Sequence, residues 1–158
     1  PRPSSWHGSQ GLVLAPVGPW LGDEIGAPPG VSVNDASLVI RVALGRRSML
    51  FTGDLEAEGE GELAGRGAAG LTIASDVLKV PHHGSRTSSS SDLLDSVHPT
   101  LAVMSLGRAN RFRFPAAEVL ERYQVRGVRV LRTDRHGAVT VTVSQDGVVD
   151  TTCVRGCR

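Results

Sequence analysis

The chain is poor in aromatic residues, carries almost no net charge and has no long apolar run. Its 158 residues include three phenylalanines, two tryptophans and one tyrosine, which are too few to predict a surface on which nucleic-acid bases would stack. The formal net charge of +1 provides no overall electrostatic attraction to a polyanion. No segment approaches the roughly 20 apolar residues of a membrane-spanning helix, so the chain is predicted to contain no membrane span.

Cysteine is nearly absent as well, since Cys153 and Cys157 are the only two. No histidine or further cysteine accompanies them near the C-terminus, so they do not form a zinc site. A local disulfide between them is one alternative. We expect instead two free thiols at a disordered end of the chain.

Two motifs that would indicate other chemistry are also missing. Serines lie close to His82 and His83, but the chain has no Gly-x-Ser-x-Gly elbow to hold a serine nucleophile. Gly59 and Gly61 flank a glutamate in an acidic segment, which would repel phosphate. Neither a phosphate-binding loop nor a nucleotide cofactor is therefore predicted.

The pattern of apolar residues predicts one α/β domain. Hydrophobic residues make up 40% and charged residues 21% of the chain, which is ordinary for a soluble globular protein. Strand patterns alternate with helix patterns, and antiparallel elements are expected at both ends of the series. Strands are predicted at residues 11–15, 36–43, 48–52, 77–80, 101–105, 128–131, 138–143 and 148–152, helices at 56–64 (exposed), 92–97 and 115–123, and an irregular loop at 16–32.

Two of the predicted strands end in polar motifs that suit a metal-assisted hydrolase. Asp54 follows the apolar run at 48–52, and the pair His82 and His83 follows the run at 76–80. Aspartate oxygen and histidine nitrogen bind divalent cations, and a catalytic site keeps one coordination position open for water. A carboxylate and a histidine pair at neighbouring strand ends therefore predict a metal site.

Glycines adjoin both motifs, and each motif also has a plainer interpretation. Gly53 and Gly84 would allow the tight turns that aim the side chains at one point. In the plainer interpretation, Asp54 accepts hydrogen bonds from the backbone and caps the helix that starts near Glu56. A histidine in a loop is often simply solvated.

Taken in order, these motifs resemble the metallo-β-lactamase superfamily and, more narrowly, the carboxy-terminal domain of the ComEC family of DNA-uptake proteins. The resemblance implies the C-terminal portion of an αββα sandwich, with the N-terminal half and its principal ligand cluster missing. Residues 1–10 would be a truncated lead-in, residues 11–147 the partial domain, and residues 148–158 a terminal strand and tail. The matching stretches are residues 34–41, 50–54, 76–85, 105–110, 132–134 and 137–139.

The resemblance also assigns roles to individual residues. It implies that Asp54 and His83 are ligands of a divalent metal site, with two ions (Zn or Mn) bridged by Asp54. Because adjacent side chains diverge, His82 is expected to contact the substrate or to transfer a proton as the catalytic residue. Lys79 is expected to be a charge at a strand edge, and Ser85 is a further candidate for a phosphate contact.

The function implied by the resemblance is hydrolysis of DNA phosphodiesters by metal-activated water. The chain would be a soluble domain of a protein of the inner (cytoplasmic) membrane, and its partners would be DNA, the missing half of the domain and a membrane channel. Two alternatives stay open: a fragment of a stand-alone phosphoesterase of the same fold, and a non-catalytic remnant that keeps the fold and binds no metal.

One departure from the family pattern bears on activity. Where the family tends to carry an aromatic residue, Gly, His and Pro, this chain has residues 112–115, and Phe114 stands in place of the histidine. Phenylalanine binds neither metal nor phosphate. Catalytic zinc sites typically use three protein ligands, whereas only Asp54 and His83 are identified here. We therefore expect the chain by itself to be inactive.

Overall fold

A computed structural model describes residues 9–14 and 32–157 of the chain. The predicted loop at 16–32 lies almost entirely outside the described residues, as does most of the predicted lead-in at 1–10. The strands are β1 (Ser9–Leu14), β2 (Val39–Leu44), β3 (Arg47–Phe51), β4 (Val77–Lys79), β5 (Leu101–Met104), β6 (Arg129–Arg132), β7 (Val139–Val143) and β8 (Val149–Cys153). The helices are α1 (Ala57–Ala68), α2 (Ser91–Val97), α3 (Ala117–Val125) and α4 (Thr133–His136), and a short 3₁₀ turn spans Pro81–Gly84.

Six strands form one mixed sheet in the order β1-β2-β3-β4-β5-β6. Strands β1, β2 and β3 are antiparallel, and β3, β4, β5 and β6 are parallel. Because parallel strands end at the same edge of a sheet, the segments that follow β3, β4 and β5 meet there. This edge carries both polar motifs.

The two faces of this sheet are covered by different elements. Alternate residues of a strand point to opposite faces. Leu50, Leu78 and Ala102 join the core formed with the helices, which includes Leu93 and Tyr123. On the other face, the strand residues Val77, Leu101 and Leu131 pack with Val139, Val141 and Val149 of the separate β7-β8 hairpin.

These elements confirm the predicted α/β class, with antiparallel pairs at both ends of the series. Ser90 caps α2, since its Oγ accepts a hydrogen bond from the N–H of Leu93 at 3.3 Å. The prediction of an exposed first helix is wrong for one face of α1. Glu60 and Leu63 of that helix are buried, because the helix packs against α2 and the sheet.

The expectation of free thiols is also wrong. Cys153 and Cys157 form a disulfide. Strand β8 ends at Cys153, and a turn follows in which the N–H of Gly156 donates to the carbonyl of Cys153. This turn brings the two Cα atoms to 5.2 Å, within the range that a disulfide spans.

Candidate metal centre

The turn after β3 holds Asp54 in a fixed position. Gly53 has a φ of +58°, and a Cβ at this residue would lie 2.7 Å from the Cβ of Ser37, so the turn requires glycine. The N–H of Asp54 donates to Oγ of Ser37 at 2.9 Å. The carboxylate of Asp54 therefore projects from a turn whose backbone is closely packed.

The plainer interpretation of Asp54 as a helix cap is wrong. Asp35 provides the hydrogen-bond acceptor for the N–H groups at the start of α1. Its Oδ1 accepts from the N–H of Glu56 at 2.9 Å and from the N–H of Gly59 at 3.0 Å. Asp35 is buried and lies about twenty residues before the helix in sequence. Because this contact is long-range, the sequence around α1 gave no signal for it. The carboxylate of Asp54 is left available at the edge of the sheet.

The histidine pair occupies a strained turn after β4. His82 has φ 40° and His83 has φ 55°, both in the left-handed region. A non-glycine residue held there costs of order 1–3 kcal/mol, and such residues cluster at functional sites. Gly84 follows with φ +81°, and a Cβ at Gly84 would lie 2.7 Å from the Cβ of Pro115. The two imidazole rings diverge as predicted, with centroids 6.4 Å apart.

A hydrogen bond selects the tautomer of His83. Its Nδ1 lies 2.5 Å from the carbonyl oxygen of Ser105, at the end of β5. Since a carbonyl only accepts hydrogen bonds, Nδ1 carries the proton. In the neutral ring Nε2 then has a lone pair, and it lies 3.5 Å from Oδ1 of Asp54. The predicted adjacency of Asp54 and His83 is therefore confirmed.

The Asp54–His83 pair has the chemistry and spacing of two ligands of one cation. A carboxylate oxygen and an imidazole lone pair that face each other repel unless a positive charge lies between them. Two ligand atoms about 2.1 Å from one tetrahedral zinc ion lie roughly 3.4 Å apart, close to the observed separation. Both side chains are about 40% exposed, at 42% and 39%, so an ion could reach them from solvent.

Within residues 32–157 no cluster of three or more metal-ligating His, Cys, Asp or Glu side chains is present. The pair therefore fits part of a metal site. Its role as a ligand pair stays a prediction.

His82 lies beside a carboxylate that the sequence did not identify. Its Nδ1 is 3.1 Å from Oε1 of Glu56, but the orientation does not make a hydrogen bond, and this nitrogen is buried without a partner among the described residues. Glu56 accepts hydrogen bonds from the hydroxyls of Thr87 and Ser32. Burial alone would raise the pKa of Glu56, but these hydrogen bonds and the neighbouring His82 outweigh it and lower the pKa. A negative charge is thereby held next to the imidazole of His82.

Lys79 is the only lysine of the chain and contacts the turn that carries Asp54. Its Nζ donates to the carbonyl of Gly53 at 2.7 Å and lies 3.4 Å from Oδ1 of Asp54. Burial lowers the pKa of Lys79, and the charge of Asp54 opposes this effect. The expectation of a strand-edge charge is wrong, because β4 lies between β3 and β5. Ser85, which was a candidate for a phosphate contact, is buried, and its hydroxyl forms a hydrogen bond with the hydroxyl of Thr87.

Asp54 and both histidines line an open cavity of about 530 Å³ at the edge of the sheet. Phe114 forms part of its wall and meets the ring of His82 edge-on, with the ring centroids 5.7 Å apart. The substitution noted in the sequence therefore lies at the site itself. The residues that line the cavity are Asp54, His82, His83, Ser105, Leu106, Gly107, Asn110, Phe112 and Phe114.

Three known proteins are similar to this chain over most of its length, although no family model matches it. The ComE operon protein 3 of Bacillus subtilis (strain 168) is 41% identical over 113 residues, which are 72% of this chain and 14% of that protein. The competence protein ComA of Neisseria gonorrhoeae is 42% identical over 115 residues, which are 73% of this chain and 16% of that protein. The uncharacterized protein YcaI of Escherichia coli (strain K12) is 35% identical over 150 residues, which are 92% of this chain and 20% of that protein.

The chain thus spans between 14% and 20% of the length of these relatives. Its similarity to a competence protein agrees with the resemblance stated from the motifs. None of the helices in residues 32–157 has the length and apolar character that a bilayer crossing requires.

Proposed function

We propose that this chain contributes to a metal-dependent phosphodiesterase centre in a longer, ComEC-like protein that takes up DNA. In this proposal the sheets belong to an αββα sandwich of the metallo-β-lactamase type. The observation that carries the proposal is the Asp54–His83 pair, in which Nδ1 of His83 is held by the carbonyl of Ser105 and Nε2 lies 3.5 Å from the carboxylate. The name of the Neisseria relative, a competence protein, supports a role in competence.

Each residue of the site has a distinct task in this proposal. Asp54 and His83 would hold a divalent cation, Zn²⁺ or Mn²⁺, and Asp54 has a second carboxylate oxygen with which to bridge to a second ion. A bound cation would polarise a phosphoryl oxygen and activate water for attack on phosphorus. Ser105 keeps the lone pair of His83 turned toward Asp54, because its carbonyl holds the Nδ1 proton. Lys79 fixes the turn at Gly53 and offsets the charge of Asp54.

His82 is placed to move a proton between the substrate and solvent. Its ring lines the cavity, and its Nδ1 lies next to the ionised Glu56. A histidine beside a carboxylate is an arrangement suited to general acid–base catalysis. His82 would then donate a proton to the oxygen that leaves phosphorus.

Further ligands would have to come from residues beyond those described. Catalytic zinc sites typically take three protein ligands per ion, and residues 32–157 bring two together. We propose that the rest of the longer protein supplies the others, together with a membrane channel. This chain alone is accordingly predicted to be silent as a hydrolase.

The second candidate is a non-catalytic remnant that keeps the fold and binds no metal. Phe114 favours this alternative, because a phenylalanine in the cavity wall occupies the place of a histidine in the family pattern. A fragment of a stand-alone phosphoesterase is the third possibility. The similarity to much longer relatives, of which this chain covers 14–20%, argues against a stand-alone enzyme.

The test uses a hybrid of the Neisseria relative. In this hybrid, the 115 residues of this chain that match the relative replace the corresponding segment of the relative. Mn²⁺-dependent cleavage of a labelled single-stranded DNA is measured for the hybrid and for the Asp54→Ala and His83→Ala variants. We expect each variant to lose at least about 100-fold in rate, because even the loss of an outer partner of a ligand costs 10–100-fold. His98→Ala, at an exposed residue outside the cavity, is the matched control.

Two results would contradict the proposal. A folded hybrid that neither binds Mn²⁺ nor cleaves DNA would support the non-catalytic remnant. Cleavage by this chain alone, lost in Asp54→Ala, would show that no further ligands are needed.

A further inference from the structure

The loop at residues 107–114 concentrates arginine and phenylalanine beside the candidate metal centre. It contains Arg108, Arg111 and Arg113, together with two of the three phenylalanines of the chain, Phe112 and Phe114. It contains no acidic residue. Neither the net charge of +1 nor the low aromatic content of the whole chain reveals this local concentration of arginine and phenylalanine.

The two phenylalanines form an exposed aromatic surface. Their rings are stacked, with centroids 5.5 Å apart and planes within 19° of each other. Phe112 is 61% exposed, whereas Phe114 continues the stack into the cavity that holds Asp54. The guanidinium carbon of Arg111 lies 4.8 Å from the centroid of Phe112.

The arginines of the loop differ from those arginines of the described residues that form ion pairs. Arg47, Arg126 and Arg132 each pair with a nearby carboxylate. The three loop arginines are exposed, and none of them makes an ion pair with any other residue in the ranges 9–14 and 32–157. Their positive charge is therefore available to an external anion.

Asn110 holds the loop in this shape. Its Nδ2 donates to the carbonyl of Phe114 at 2.8 Å, and its Oδ1 accepts from the N–H of Phe114 at 2.8 Å. The N–H of Arg113 donates to the carbonyl of Asn110 at 3.1 Å. A loop tied in this way presents its rings and charges with little loss of conformational entropy on binding.

We propose that the loop at 107–114 binds single-stranded nucleic acid and guides it to the Asp54–His83 centre. A base stacks on Phe112, while Arg108, Arg111 and Arg113 bind the phosphates on either side. Aromatic rings interleaved with basic residues bind single strands because every base offers a flat face to the ring. A duplex does not, since its bases already stack on each other. This inference rests on the proposed function for its ligand class.

The experiment measures binding of a fluorescein-labelled 12-nucleotide oligothymidine to the full chain by fluorescence anisotropy, with EDTA present so that no cleavage occurs. We expect Phe112→Ala to weaken binding about 10-fold or more, and Phe112→Trp to preserve it. Arg111→Ala and Arg113→Ala should each make the salt dependence shallower by about 0.7 in the slope of log K against log salt. Arg46→Ala, at an exposed arginine in the β2-β3 turn, should change neither quantity.

Three results would overturn the inference: no binding by the wild-type chain, unchanged binding by a folded Phe112→Ala variant, or equal affinity for a duplex of the same length. Thermal melting of each variant establishes that it is folded. The two proposals fail separately. If the Asp54→Ala chain still binds the oligothymidine but the hybrid does not cleave DNA, the proposed function fails and the role of the loop in binding stands. If the hybrid cleaves DNA but Phe112→Ala does not weaken binding, only the role of the loop fails.

Discussion

Two groups of polar residues, one that includes Glu60 of α1 and one that includes Glu56 just before it, differ in how many of their polar atoms form hydrogen bonds. The buried polar cluster consists of Glu60, Ser89, Ser90, Arg122 and Tyr123. The N–H groups of Ser89 and Ser90 donate to the two carboxylate oxygens of Glu60 at 2.6 and 2.7 Å. The hydroxyls of Ser89 and Tyr123 lie 3.0 Å apart. Glu60, Ser89 and Tyr123 have no exposed surface.

The site cluster, defined as Asp54, Glu56, Lys79, His82 and His83, has the opposite character. Asp54 and His83 are partly exposed and face each other without a hydrogen bond. Nδ1 of His82 has no hydrogen-bond partner among the described residues, and both histidines have left-handed backbones. Buried polar networks are normally satisfied because an unpaired group is costly. A cluster that keeps strain and unpaired atoms is therefore more simply explained by function than by stability.

The largest expected effect on stability comes from breaking the buried polar cluster. Glu60→Ala should lower the free energy of unfolding by about 3 kcal/mol, because a buried N–H group and a half-buried one lose their acceptors. Glu62→Ala is the matched control on the same helix, since its exposed pair with Arg66 contributes only about 0.3–0.5 kcal/mol. Urea denaturation measures both. A loss below 1 kcal/mol for Glu60→Ala would show that the cluster does not stabilise the fold.

A smaller change within the same cluster should have a proportionate effect. Tyr123→Phe keeps the ring and removes only the hydroxyl that bonds Ser89, so we expect a loss of about 1 kcal/mol. Differential scanning calorimetry would detect it as a lower melting temperature. If Tyr123→Phe lowered the free energy of unfolding as much as Glu60→Ala, the Tyr123–Ser89 hydrogen bond and the hydrogen bonds of Glu60 would not contribute separately to stability.

The smallest expected effect has the opposite sign. His82→Gly should raise the free energy of unfolding by about 0.5–1 kcal/mol, because glycine adopts the left-handed backbone without strain. His98→Gly is the control: His98 also has a left-handed backbone, at the end of α2, but lies outside the cavity. Both variants should be stabilised, while only His82→Gly should affect catalysis by the hybrid. Destabilisation by His82→Gly would mean that the ring of His82 holds the fold together.

The adjacency of Asp54 and His83 was predictable because it depends on local patterns and on one rule of topology. Apolar runs marked β3 and β4, polar motifs followed each, and parallel strands end at the same edge. The turn glycines at Gly53 and Gly84 were predictable for the same reason, since local sequence controls local backbone conformation.

Contacts between distant segments were not predictable. Glu56 approaches His82, and Asp35 caps α1, only after the chain folds. The inner position of Lys79 depends on the strand order, which local sequence patterns do not specify. The stacking of Phe112 on Phe114 depends on Asn110, whose side chain bonds the backbone four residues along, and aromatic content alone gave no indication of it.

The central claim is that Asp54 and His83 are joint ligands of a divalent cation. It is tested most directly by titrating the chain with Zn²⁺ while recording the side-chain ¹⁵N resonances of its five histidines. We predict that Nε2 of His83 shifts first while its Nδ1 stays protonated, and that Asp54→Ala weakens the response at least about 10-fold. A first response at His82 or His98, or a His83 response that is unchanged in Asp54→Ala, would contradict the claim.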